Sequence, residues 1–321
     1  MNEENKKKKR FKLFDSQREG KGVTKEEAAL PPGFKKFFIL YKRDFSRLLT
    51  VNIFMVLGNF PALFFIVSQL VSTPFVYPSN NAFGVLDGLL GVEGYTAPLL
   101  ALNGVLGDMA TSNAYTPLAY LFMSLGALTF LTFGLVNVGT TYILRNMVKG
   151  EPVFFWSDFW YAIRRNLKQG FFFGIVDLLI LILIPYNVWV LSLGSGFWHG
   201  ILFWSNIVVG LLYLAMRAYI YIEIVTFDLS IYKILKNALI FAIVGFKRNA
   251  CAMIGKALLV FLTLAFAYSG ILLSLAIILP FLLLLANGAY MSVYAAYFKI
   301  EELMIKPYLE TRAEQAEASE A

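Results

Sequence analysis

Apolar residues in this chain gather in long unbroken windows. Six stand out, at about 48–71, 118–144, 170–190, 200–222, 256–274 and 277–298. Each is close to the roughly 20 residues that an α-helix needs to cross a bilayer core about 30 Å thick. The last two windows run together as "KALLVFLTLAFAYSGILLSLAIILPFLLLLANGAYMSVYAAYF". One helix of that length would be about twice the bilayer core, so a tight turn before Pro280 is expected. The pattern predicts an all-α, polytopic membrane helix bundle with about six transmembrane helices.

Composition agrees. The hydrophobic fraction is 58% and only 15% of residues are charged. Mean hydropathy is +0.65. Ordinary globular chains are about 45–50% apolar.

Charge adds direction. Lys and Arg concentrate in the inner segments near spans. Residues 1–47 hold fourteen, 145–169 five, 223–256 five and the tail after 298 three. The intervening segments 72–117, 191–199 and 275–276 hold none, and Arg217 alone falls inside a span. Both termini are expected inside. The domain reading is a flexible basic tail at 1–34, a six-span membrane domain at 35–300 with an extracellular insert at 72–117, and an acidic tail at 301–321. A signal peptide is not expected, because no apolar core follows the basic start closely.

Three cationic clusters repeat near span entrances: Lys42-Arg43-Asp44, Arg164-Arg165-Asn166 and Lys247-Arg248-Asn249. Mixed aromatic and apolar segments precede them. In "PVFFWSDFWYAIRRNLKQ", Phe155, Phe159, Ala162 and Ile163 share a helical face, with Pro152 in a first turn and Ser157 or Asp158 as cap. In "DLSIYKILKNALIFAIVGFKRN", Ile231, Leu235, Ala238 and Leu239 do the same. Such segments suit helices lying at the cytoplasmic headgroups. The chain therefore reads as three hairpins, each introduced by an amphipathic approach. The clusters serve as membrane-edge anchors through snorkelling Lys and Arg, or dock a cytoplasmic partner.

The segments "LRNMVKGEPVFFWSDFWYAIRRNLKQGFFFG" and "ILKNALIFAIVGFKRN" resemble the YesL-type family of bacterial integral membrane proteins. The resemblance covers about 35–71 and 118–298. It rests on Gly150-Glu151, Asp158-Phe159, the Arg165–Gln169 run and Asn237-Ala238. The family is a domain of unknown function, commonest in Gram-positive bacteria and often encoded beside sugar ABC transporters. The resemblance implies an accessory role around carbohydrate uptake in the bacterial plasma membrane. Transporter subunits or a membrane sensor would be the partners. It carries over no catalytic or binding residue. The long insert and the longer tails depart from the family pattern.

Ionisable residues inside spans are costly and are functional candidates by default. Asp177 lies seven residues past Gly170, about 10 Å along a helix, and Arg217 lies six before Glu223, about 9 Å. The matching depths predict a charge pair, structural or serving a small transporter or channel. Gly170-x-x-x-Gly174 is a close-packing motif with Asp177 one turn later. Gly210, Tyr213, Arg217 and Tyr221 share a face of the next span. Asn52, Asn59, Asn137, Asn206 and Asn287 suit interhelical hydrogen bonds, and Pro61, Pro185 and Pro280 suit kinks or ends.

The insert carries Asp87, Glu93 and Asp108, with short helices expected near 83–91 and 97–109. It reads as a packed outer loop, a lid, or a sugar site. With one Cys (Cys251) and one His (His199), neither a disulfide nor a structural metal site is expected. No phosphate-binding loop or His-Glu-x-x-His motif is present. Most aromatics lie in the spans and not among the lysines of the basic tail, so nucleic acid is a poor partner and the bilayer a good one. No enzyme activity and no cofactor are expected, and the oligomeric state is open.

Overall fold

The computed structural model describes residues 30–76, 111–114, 116–268 and 283–320. Its described part is helical apart from one short strand pair. Four helical stretches are long and apolar enough to cross a membrane: Pro117–Lys149, Leu167–Leu193, Phe197–Thr226 and Phe246–Phe266. A fifth appears if the broken pair Phe34–Gly58 and Ala62–Leu70 is counted as one. The chain divides into two compact units, Asn59–Leu131 and the remainder.

The smaller unit contains α2 (Ala62–Leu70) and α3 (Pro117–Gly126), joined through strands β1 (Thr73–Val76) and β2 (Thr111–Ala114). The strands pair antiparallel, with Thr73 opposite Ala114 and Val76 opposite Thr111. This short ribbon stands in an otherwise helical structure. Thr116 caps α3 by accepting the Ala119 N–H at 3.1 Å, and its hydroxyl donates to Val71 O at 3.2 Å. Pro117 occupies the first turn, where its missing N–H costs nothing. Phe64 stacks on Phe122 with ring centroids 5.8 Å apart, joining α2 to α3. The acids Asp87, Glu93 and Asp108, the helices expected near 83–91 and 97–109, and the turn before Pro280 lie outside the described residues.

The larger unit contains α1 (Phe34–Gly58), α4 (Thr129–Lys149, which begins in the smaller unit), α5 (Phe155–Arg165), α6 (Leu167–Leu193), α7 (Phe197–Thr226), α8 (Ile231–Val244), α9 (Phe246–Tyr268) and α10 (Leu285–Ile300). A π-helical turn, Glu301–Ile305, leads from α10 into α11 (Lys306–Glu320). The segment expected as an acidic tail is thus helical.

The core is concentrated at one end of this unit. Ile143, Leu144 and Met147 of α4, Ala162 of α5, Tyr219–Val225 of α7 and Ala238 of α8 are all buried there. Away from that end, large apolar side chains are exposed along α6, α7 and α9, among them Ile182, Trp189, Val208, Leu258 and Phe261. Water-soluble monomers rarely leave so continuous an apolar surface uncovered.

The expected span starts move. The helix expected from 48 begins at Phe34, so Lys42-Arg43-Asp44 lies inside a continuous helix and marks no joint. Span five starts at Phe246, ten residues earlier than expected, because Gly245 breaks the helix ahead of the cationic cluster. A Cβ at Gly245 would press on the Phe241 carbonyl and the Tyr219 hydroxyl. Asn249 secures the same joint, accepting from Tyr219 Oη at 3.0 Å and donating to Ala242 O at 3.0 Å.

The approach helices fare differently. On α5, Phe159, Ala162 and Ile163 are buried and Phe155 is partly so, as the spacing predicts. Asp158 accepts the Phe154 N–H at 2.9 Å, and Asn166 ends the helix one residue before α6 begins. On α8 the buried face is Ile234, Ala238, Phe241 and Ala242, whereas Ile231, Leu235 and Leu239 are exposed. A broad apolar arc lies opposite Lys233, Lys236 and Asn237 on α8, wider than the face that packs, so periodicity alone could not choose within it.

Candidate functional site

Asp177 and Arg217 sit on neighbouring helices joined by a three-residue link containing Gly196. Gly196 has φ +106°, a conformation that a side chain would strain. Asp177 is fully buried. Arg217 Nε donates to both its oxygens, at 2.9 Å to Oδ1 and 2.8 Å to Oδ2. Tyr213 Oη donates to Oδ1 at 2.7 Å and Tyr221 Oη to Oδ2 at 2.6 Å. Residues 213, 217 and 221 are one helical turn apart, so one face of α7 supplies every donor. The Arg217 guanidinium also lies over the rings of Tyr221 and Phe133, 5.1 and 5.5 Å from their centroids.

The pair lies further from its helix ends than the sequence windows implied. Because α6 starts at Leu167 and α7 ends at Thr226, both residues are about 14–15 Å from those helix ends by helical rise. The expected depths of about 10 and 9 Å took the ends at Gly170 and Glu223.

Gly170 and Gly174 are both buried. Gly174 packs on Gly134 of α4, which the sequence reading missed, and a Cβ at Gly170 would meet Val138 of the same helix. A Cβ at Gly134 would strike Gly170 O and the Gly174 backbone, and one at Gly174 would strike the Gly134 backbone. This backbone contact brings α4 against α6 one turn before Asp177, and places Phe133 by Arg217. A glycine on a third helix carried little signal by itself, since Gly134 pairs with nothing in its own span.

The cationic clusters separate into different roles. Lys42 is exposed, while Arg43 donates to Asp44 at 2.8 Å and to Met147 O at 2.9 Å. Arg164 and Arg165 are exposed at the α5–α6 joint. Lys247 is exposed, and Arg248 lies 3.4 Å from Glu302. Among the described residues no hydrogen bond or ion pair joins these clusters to Asp177.

Three further charged residues lie within the long helices. Arg145 is buried and donates to Val225 O at 2.9 Å and Thr226 Oγ1 at 3.1 Å, capping the end of α7. Glu223 is fully buried; Asn237 Nδ2 donates to its Oε2 at 3.3 Å, and its Oε1 has no partner among the described residues. Lys256, expected at a span edge, stands ten residues into α9. Its helix begins at Phe246, which the window starting at 256 concealed.

Among the expected asparagines, Asn52 accepts the Ala286 N–H at 2.8 Å across α1 and α10. Asn137 instead bonds back to Phe133 O within α4 at 2.8 Å. Among the described residues no group of His, Cys, Asp or Glu could hold a metal ion.

Chemically, the cluster is a carboxylate with its acceptor positions filled. Two oxygens offer about four lone-pair sites. Two tyrosines and a shared Nε–H occupy them. No protein-family model, curated protein or solved structure matches the chain.

Proposed function

We propose that this chain is a multi-pass protein of a bacterial plasma membrane, with six spans in three hairpins and both termini inside. In this reading it is a non-catalytic accessory or regulatory component associated with carbohydrate uptake. The resemblance of the Arg165–Gln169 and Asn237-Ala238 segments to the YesL-type family supports the carbohydrate setting. The distribution of Lys and Arg supports the orientation.

The observation that favours an accessory role over transport is the saturated Asp177 carboxylate. A carrier residue must release its partners to take a substrate or proton. Here both tyrosines and Arg217 would have to withdraw together. The cluster therefore acts as a lock between α6 and α7. Affinity purification of the tagged chain from native membranes tests the role. Recovery of a sugar-transporter subunit or a membrane sensor is expected, and a clean preparation without either counts against it.

One observation favours a second reading, a small transporter or channel: Lys256, a second cation well inside a long apolar helix, stands ten residues into α9. Flux into proteoliposomes that disappears in Asp177→Asn would establish that reading. Absence of flux for sugars and ions would remove it.

A further inference from the structure

Helix α5 carries two exposed stripes beside its buried face. Trp156, Trp160 and Arg164 stand four residues apart on one, and Ser157, Tyr161 and Arg165 on the next. Together they line an open groove of about 730 Å³. The rings are packed. Trp156 meets Phe54 and Trp160, each with centroids 5.9 Å apart, and Tyr161 meets Tyr142 at 5.7 Å. The cations are not neutralised. Arg164, Arg165 and Lys168 flank Asn166, where α5 ends and α6 begins, and all three are exposed. Arg165 Nη1 donates to Tyr161 Oη at 3.5 Å, and none of the three has a carboxylate partner among the described residues. The carboxylate of α5, Asp158, accepts the Phe154 N–H near the start of that helix. On α6, Lys168 heads an exposed stripe of Phe172, Val176, Leu179 and Leu183, which share one helical face. From Phe172 to Leu183 the stripe runs about 16 Å, one leaflet of a hydrocarbon core about 30 Å thick.

We propose that the α5–α6 joint binds an anionic phospholipid of the inner leaflet. Arg164, Arg165 and Lys168 take the phosphate-bearing headgroup, Trp156 and Trp160 lie at the level of the glycerol backbone, and an acyl chain follows the α6 stripe. Charge complementarity selects the ligand class, since Arg and Lys are the common phosphate ligands. The rings beside them match the aromatic belt of a membrane interface, where a polar edge is wet and the ring body is apolar. A protein partner could cover the α5 groove, but it leaves unexplained why a cation heads an apolar stripe one leaflet long. Snorkelling alone requires no particular headgroup, whereas three unneutralised cations favour a net negative one. The inference rests on the membrane placement proposed above, with this joint on the inner side, but not on the carbohydrate role.

The test uses the full-length chain in vesicles of phosphatidylcholine and phosphatidylglycerol. Trp189→Phe, Trp198→Phe and Trp204→Phe leave Trp156 and Trp160 as the only tryptophans. One lipid at a time is brominated, so that it quenches the tryptophans it touches. Phosphatidylglycerol is expected to win over phosphatidylcholine by a relative affinity on the order of fivefold. Arg164→Gln, Arg165→Gln and Lys168→Gln together should remove the preference, while Arg164→Lys with Arg165→Lys retains it. Equal quenching by the two lipids in the parent chain would overturn the proposal. So would an undiminished preference in the triple variant, which places it at another basic segment. Loss of the preference in inorganic phosphate at constant ionic strength would mark a free-anion site instead. Quenching by neither lipid would leave the groove to a protein partner and equally remove the lipid. Should the triple variant not fold, salt decides with the parent chain. The preference should fade in about 1 M sodium chloride, and an unmoved preference removes the proposal. Membrane placement is read separately in Trp156→Phe with Trp160→Phe, where either brominated lipid should quench the remaining tryptophans of α6 and α7. No quenching there fails the placement itself.

Discussion

Two aspartates, Asp44 and Asp177, are equally buried, each with no exposed surface, yet they are satisfied in opposite ways. Asp44 draws its cations from its own helix, Arg43 at 2.8 Å and Arg47 at 3.3 Å. Asp177 draws every partner from another helix, 36 to 44 residues away in sequence. A carboxylate neutralised locally can be buried without choosing a neighbour. One neutralised across two helices selects a single register between them. The first cluster reaches another helix through Arg43, which donates to the last turn of α4 at Met147 O. The second is itself the contact.

The comparison is broken most directly by Asp177→Ala. It strands Arg217 midway along α7, and breaking a buried pair in this way costs about 3–5 kcal/mol. The expected result is a large loss of folded yield and a lowered unfolding midpoint in detergent. The double charge swap, Asp177→Arg with Arg217→Asp, should recover more protein than either single change. Equal yields would remove the pairing as the source of the effect.

Gly134→Val should follow, at about 3 kcal/mol, because a side chain there meets backbone and cannot be accommodated by rotamer changes. It separates close packing from charge: Asp177 keeps its donors on α7 while α4 is pushed away. A midpoint unchanged within error would show that α4 does not hold α6 in place.

Asp44→Ala is expected to cost less, about 2 kcal/mol. Arg47 is a quarter exposed, and Arg43 keeps its bond to Met147. A double-mutant cycle sharpens the contrast. Coupling between Asp177 and Arg217 should exceed 1 kcal/mol, and coupling between Asp44 and Arg47 should fall below it. Reversed magnitudes would overturn the distinction between local and interhelical neutralisation.

Tyr221→Phe is the smallest change, about 1 kcal/mol, near the upper range for hydrogen bonds between membrane helices. Tyr213→Phe should cost a similar amount, and thermal unfolding of both variants checks it. No loss in either would mean that Arg217 alone satisfies the carboxylate.

Much of this was legible along the chain. The long apolar windows, the matched positions of Asp177 and Arg217 across a short link, and the face shared by Gly170 and Gly174 follow from helical rise and periodicity. So does the buried face of α5, where a strongly polar opposite side leaves one choice. Other features were hidden. The α8 face was misread because the apolar arc of that helix is wider than the face that packs. Lys256 was placed at an edge because hydropathy windows register where charges stop, not where helices start.

The sequence by itself determined which residues are too costly to leave unpaired, because charge and apolar length are properties of the chain read in order. Only the tertiary structure decided how those costs are met. It brought Gly134 against Gly174, turned one face of α7 onto both oxygens of Asp177, and left Lys256 partly buried without a carboxylate partner among the described residues. These are contacts between helices distant in sequence, and burial and hydrogen-bond geometry exist only once the helices have packed.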